Sequence, residues 1–242
     1  MDAYLVTGLA GLLTLGGGLA ALRVESAKGL VYAFCAGVLI GTALLAMIPE
    51  ALELFGAAGS ADRLLADVAA GFFAFYLLEN LEDLTGARRG DVLHHGHRHP
   101  TGLWAAAGIG VHGFVVGLAL AGAFAAGRGL AWPIALGIVM HRIADGVAVA
   151  GAMRGTEQGP RSTLAMLVFA SISPVAGVAV EPLFAIPGSA LAIAYGWFAG
   201  VFLYLGATSL LPAAREASGS RWLPVAALAG IALVYAARRT LG

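Results

Sequence analysis

The sequence predicts an all-α integral membrane protein of eight transmembrane helices, arranged as three spans, a central pair and three inverted spans. Composition is the first reason. Hydrophobic residues make up 60% of the 242 residues and charged residues only 12%, where a soluble domain carries about 25%. Mean hydropathy is +0.86. The second reason is that the apolar residues fall into eight runs, each near the ~20 residues a helix needs to cross the hydrocarbon core. No alternation of apolar and polar residues accompanies them, which excludes a β-barrel. The third reason is internal repetition, set out below.

In chain order the predicted spans are 3–22, 29–52, 64–84, 102–127, 130–153, 162–184, 188–211 and 222–238. The first lacks a basic flank ahead of it and reads as a span rather than a cleavable leader. Together they form one transmembrane domain over residues 1–242, with a histidine-containing loop at 85–101. Trp104, Trp132, Trp197 and Trp222 lie near span ends, where aromatic residues anchor helices at the membrane interface. The single Cys35 permits no intrachain disulfide and reads as a small core residue. A net charge of zero with no basic stripe argues against a nucleic-acid partner.

An even number of spans puts both termini on one side. With the termini outside, the inner segments hold nine basic residues (Arg23, Lys28, Arg88, Arg89, Arg98, Arg154, Arg161, Arg215 and Arg221). The outer segments hold four: Arg63, Arg128, Arg238 and Arg239. Basic residues concentrate on the cytoplasmic side. The expected location is therefore a plasma or inner membrane, with both termini extracytoplasmic and the 85–101 loop cytoplasmic.

Two repeats are visible. Spans four and five match at an offset of 29 through Ile109/Ile138, His112/His141, Gly117/Gly146, Ala119/Ala148, Ala121/Ala150, Gly122/Gly151 and Ala123/Ala152. Spans two and seven match at an offset of 163 through Ala36, Gly37, Val38, Pro49, Ala51 and Glu53. Spans five apart run in opposite directions, so the second repeat describes an inverted pair, as in many secondary transporters.

The chemistry lies where ionisable groups are costly. His112, His141, Arg142 and Asp145 fall at membrane depth, and such residues are functional-site candidates. His141 and Asp145 are four apart and share a helix face. An imidazole and a carboxylate one turn apart can hold one divalent ion. His112 is offered from the antiparallel neighbour at the matching position of the repeat. Glu181, ahead of Pro182 in span six, supplies a second carboxylate and completes an expected four-ligand site. Each residue also has a plainer reading: Asp145 as the ion-pair partner of Arg142, Glu181 as a hydrogen-bonding group between helices. Glu50, after Pro49, reads as an entrance ligand or a solvated helix end. His94, His95, His97 and His99 read as an exit-side metal buffer or a polar loop.

These motifs resemble the ZIP (Zrt/Irt-like) family of divalent metal transporters. The resemblance rests on Gly37-Val38 and Ile48-Pro49-Glu50 in span two and His112 with Gly117-Leu118-Ala119 in span four. It rests too on His141 with Asp145-Gly146-Val147-Ala148 in span five, Glu181-Pro182-Leu183 in span six and the loop histidines. It implies an elevator-like transporter, commonly dimeric, in which spans one, four, five and six carry metal past spans two, three, seven and eight. The cargo it implies is zinc or a related divalent ion such as iron, manganese or cadmium, with no prosthetic group. The departures are specific. Span four of the family usually reads His-Asn-X-Pro-Asp/Glu-Gly, but here His112 is followed by Gly113-Phe114-Val115-Val116-Gly117, without asparagine or carboxylate. In span five, Arg142 occupies a position that the resemblance assigns to a second metal. A guanidinium stays charged at any accessible pH and opposes a second dication, so one metal is expected, with Arg142 as a substitute for the other.

No Gly-X4-Gly-Lys-Ser/Thr loop occurs, so the expected transport is secondary or facilitated. Two rival readings stand beside it. One is a degenerate ZIP-like protein that binds or senses metal without passing it. The other is an intramembrane metalloenzyme, opposed by the lack of a His-Glu-X-X-His motif.

Overall fold

In a computed structural model, residues 1–23, 28–56, 61–79, 101–126, 128–154, 159–183 and 187–241 are described. They are helical, with no strand among them. The α-helices are α1 (Asp2–Arg23), α2 (Lys28–Thr42), α3 (Ile48–Phe55), α4 (Ala61–Glu79), α5 (Thr101–Ala126), α6 (Arg128–Arg154), α7 (Pro160–Val180), α8 (Gly188–Tyr204), α9 (Leu211–Ala217) and α10 (Leu223–Leu241). A π-helical turn over Ala43–Met47 joins α2 to α3, and another over Leu205–Leu210 joins α8 to α9. Five continuous segments are long and apolar enough to cross a membrane: Asp2–Arg23, Lys28–Phe55, Gly102–Ala125, Pro160–Leu183 and Gly188–Ala217.

The π turns have a covalent cause. Pro49 and Pro212 each stand two residues past the end of one. Proline lacks an N–H, and its ring collides with the carbonyl four residues back. Widening the preceding turn by one residue relieves that collision. Both turns fall at corresponding positions of the 163-residue repeat. In the first, the carbonyl of Ala46 accepts a 3.2 Å hydrogen bond from Arg238 Nη1, whose Nη2 stands 3.8 Å from Glu53.

Packing divides the helices into two groups. Helices α1, α5, α6 and α7 pack among themselves, with α1 on α6 and α5 on α7. In the other group α2 packs on α10 and α4 on α8. Small residues set the first pairings. A Cβ at Gly146 would overlap the carbonyl oxygen of Thr14, and one at Gly117 would overlap that of Pro174. These two glycines are equivalents in the 29-residue repeat. Only hydrogen at those positions lets the backbones approach so closely, the usual basis of helix association in lipid. In the second group, Gly37 meets Ala227 and Gly200 meets Val68 in the same way, again at equivalent positions. The groups meet where α6 lies against α2 and α10, and where α5 lies against α8.

Candidate metal centre

His112 stands near the middle of α5, His141 at the middle of α6, and Arg142 and Asp145 just past it. The crossing of these helices brings His112, His141 and Asp145 together. One ligand atom from each lies within 4.8 Å of the others. His141 Nε2 is 3.9 Å from Asp145 Oδ2, as expected of residues one helical turn apart. All three are buried, with relative exposures of 1%, 6% and 0%. Neither nitrogen of His112 has a hydrogen-bond partner, nor does Asp145 Oδ1. Buried polar atoms are ordinarily satisfied, so this group is a candidate for a ligand from outside the chain. The spacing is wider than that between ligands of a bound zinc ion, and modest inward movement would bring the three atoms to ligand distance.

Arg142 is the fourth member. Its Nη1 donates to Asp145 Oδ2 at 2.7 Å and its Nη2 to the carbonyl of Ala170 at 2.8 Å. That carbonyl is available because Pro174, four residues on within α7, has no N–H to bond it. Ser173 Oγ donates to the same oxygen at 3.1 Å. The guanidinium is wholly buried, in space left by a missing side chain. A Cβ built at Gly113 would lie 3.3 and 3.4 Å from its two Nη atoms and 2.6 Å from Ser173 Oγ. Gly113 is the repeat equivalent of Arg142, so one helix supplies a cation and the other makes room for it.

The second helix group closes the site with hydrocarbon. On α8, Phe202 and Phe198 pack edge-on to His112 with ring centroids 4.5 and 4.9 Å away. Phe202 also stands 6.2 Å from the His141 ring.

The sequence-predicted residues thus divide. His112, His141 and Asp145 converge with Arg142 beside them. Glu181 does not join them. It opens a 3-10 turn after α7, with Oε1 near Gly122. Gly122 is ten residues beyond His112, about 15 Å along α5. Pro174 frees the Ala170 carbonyl for Arg142, and the sequence signal for it was a proline at mid-span. Glu50 is partly buried in the first turn of α3, outside the converging group. His94, His95, His97 and His99 lie outside the described residues. Ser173, Phe198, Phe202 and the Ala170 carbonyl carried no sequence signal of their own.

Buried imidazoles and a carboxylate converging between long apolar helices define an all-helical integral membrane protein with a candidate metal site. The sequence model of the ZIP zinc transporter family matches residues 82–236, well over half of the chain. The chain belongs to the ZIP zinc transporter family, whose members transport zinc or similar divalent metals and are not enzymes. No curated protein sequence gives a significant match.

Proposed function

We propose that this chain carries zinc or a related divalent metal across the membrane, as a secondary or facilitated transporter, through a single-metal site made by His112, His141 and Asp145. The observation that carries this reading is the convergence of those three buried side chains. Two imidazoles and one carboxylate suit zinc or a metal of similar softness, and three protein ligands leave a fourth position open. Arg142 holds the place of a second ion: it bridges the Asp145 carboxylate to the α7 backbone, a link that a second cation would otherwise make.

In this reading α4, α6 and α10 complete eight spans, and the 3+2+3 inverted repeat organises them. The matched π turns and the equivalent glycine contacts support that symmetry. The group of α1, α5, α6 and α7 moves as the carrier, and the group holding α2, α4, α8 and α10 is the scaffold. Phe198 and Phe202 give the carrier an apolar surface to slide against. Both termini are extracytoplasmic, and the 85–101 loop is cytoplasmic at an inner membrane.

If Arg142 replaces an ion, its removal is felt in binding. Arg142→Gln is expected to raise zinc affinity by about tenfold or more, because a full positive charge leaves a low-dielectric site, or to admit a second ion. Equilibrium dialysis of zinc against the purified variant reads both. Unchanged affinity and stoichiometry would remove Arg142 from this role.

A further inference from the structure

Loaded with a divalent ion, the site proposed above carries two positive charges in excess. The carboxylate of Asp145 is already matched by the guanidinium of Arg142 at 2.7 Å, and ligating imidazoles are neutral. No other carboxylate among the described residues reaches the group; Glu181 is held far along α5. On the scaffold side the wall is aromatic, with Phe202 and Phe198 against His112. Uncompensated charge in such surroundings is costly.

The same geometry offers a remedy. Three protein ligands leave the fourth tetrahedral position open. Arg142, wholly buried, keeps its Nε–H without an acceptor. A buried guanidinium that bonds a ligand carboxylate and keeps one donor unused is suited to an anion. We propose that the metal binds together with one small monovalent inorganic anion, halide or hydroxide, which takes the fourth coordination position with Arg142 as its counter-charge. Halide would enter from solution. Hydroxide would arise from a metal-bound water whose O–H bond breaks, the proton leaving to bulk solvent and the electron pair staying on oxygen. Either source halves the excess charge, and the cargo becomes a metal–anion pair. The proposal rests on the metal-site reading above.

The test is equilibrium zinc binding to the full chain in detergent, at about pH 8, above the ordinary histidine range so that the imidazoles are already neutral. Chloride is exchanged for methanesulfonate at constant ionic strength. If halide is the partner, zinc affinity rises about tenfold for each tenfold rise in chloride, by linkage. If hydroxide is, affinity ignores chloride, and calorimetry in buffers of different ionisation enthalpy shows about one proton released per zinc. In Arg142→Gln, zinc still binds but either dependence is lost. Wild-type binding with neither chloride dependence nor proton release overturns the proposal, as does an undiminished dependence in Arg142→Gln. No zinc binding at all in folded wild-type protein is a different result, and it defeats the metal-site reading itself.

Discussion

Replacing Asp145 with alanine is expected both to abolish zinc binding and to destabilise the folded protein by about 3–5 kcal/mol. The two effects have separate causes. Binding fails because, among the described residues, Asp145 is the one carboxylate in the converging group. Stability falls because Arg142 is wholly buried and loses the partner that its Nη1 meets at 2.7 Å; breaking a buried pair leaves an unmatched charge. A double substitution separates them. Arg142→Met with Asp145→Val removes both charges while keeping the total side-chain volume similar, and such replacements are often neutral or stabilising. The double variant is expected to recover most of the lost thermal stability and none of the zinc binding. Thermal unfolding in detergent beside equilibrium zinc binding checks both. A double variant as unstable as Asp145→Ala would show that the pair does not account for the loss.

The second large effect belongs to His112. It is packed edge-on to Phe198 and Phe202, with neither nitrogen hydrogen-bonded. An aromatic ring there satisfies the packing, but only an imidazole supplies a ligand. His112→Phe is therefore expected to keep stability near that of wild type while lowering zinc affinity about a hundredfold or more, a loss at least as large as that from altering an outer-shell partner. His112→Ala is expected to lose affinity equally and to add about 3 kcal/mol of destabilisation through the cavity it leaves. If His112→Phe binds zinc as wild type does, His112 is a core histidine and no ligand.

Much of this was legible in the sequence for physical reasons. Long apolar runs announce helices because lipid offers the backbone no other partner. The i,i+4 spacing of His141 and Asp145 fixes their common face whatever surrounds them. The repeat placed His112 opposite His141, because both fall near the middle of their helices, where antiparallel neighbours are level. Which X-Pro pair of span six meets the converging group was not legible. Glu181-Pro182 and Ser173-Pro174 are both X-Pro pairs in one apolar run, and only the packing of α7 on α5 through Gly117 and Pro174 shows which pair faces the site. The π turns were hidden too, since a proline announces a disturbed turn without saying whether the helix kinks, breaks or widens. Phe198 and Phe202 look like any other residues of an apolar span until the α5–α8 contact is formed.

Passage of metal across the membrane through His112, His141 and Asp145 is read out by zinc flux into proteoliposomes. Purified wild-type protein would be compared with His112→Phe, which is chosen because it should stay folded. The predicted result is saturable zinc uptake by the wild type and its loss in the variant. Equal uptake by both, or none from folded wild-type protein, would contradict transport through these three residues.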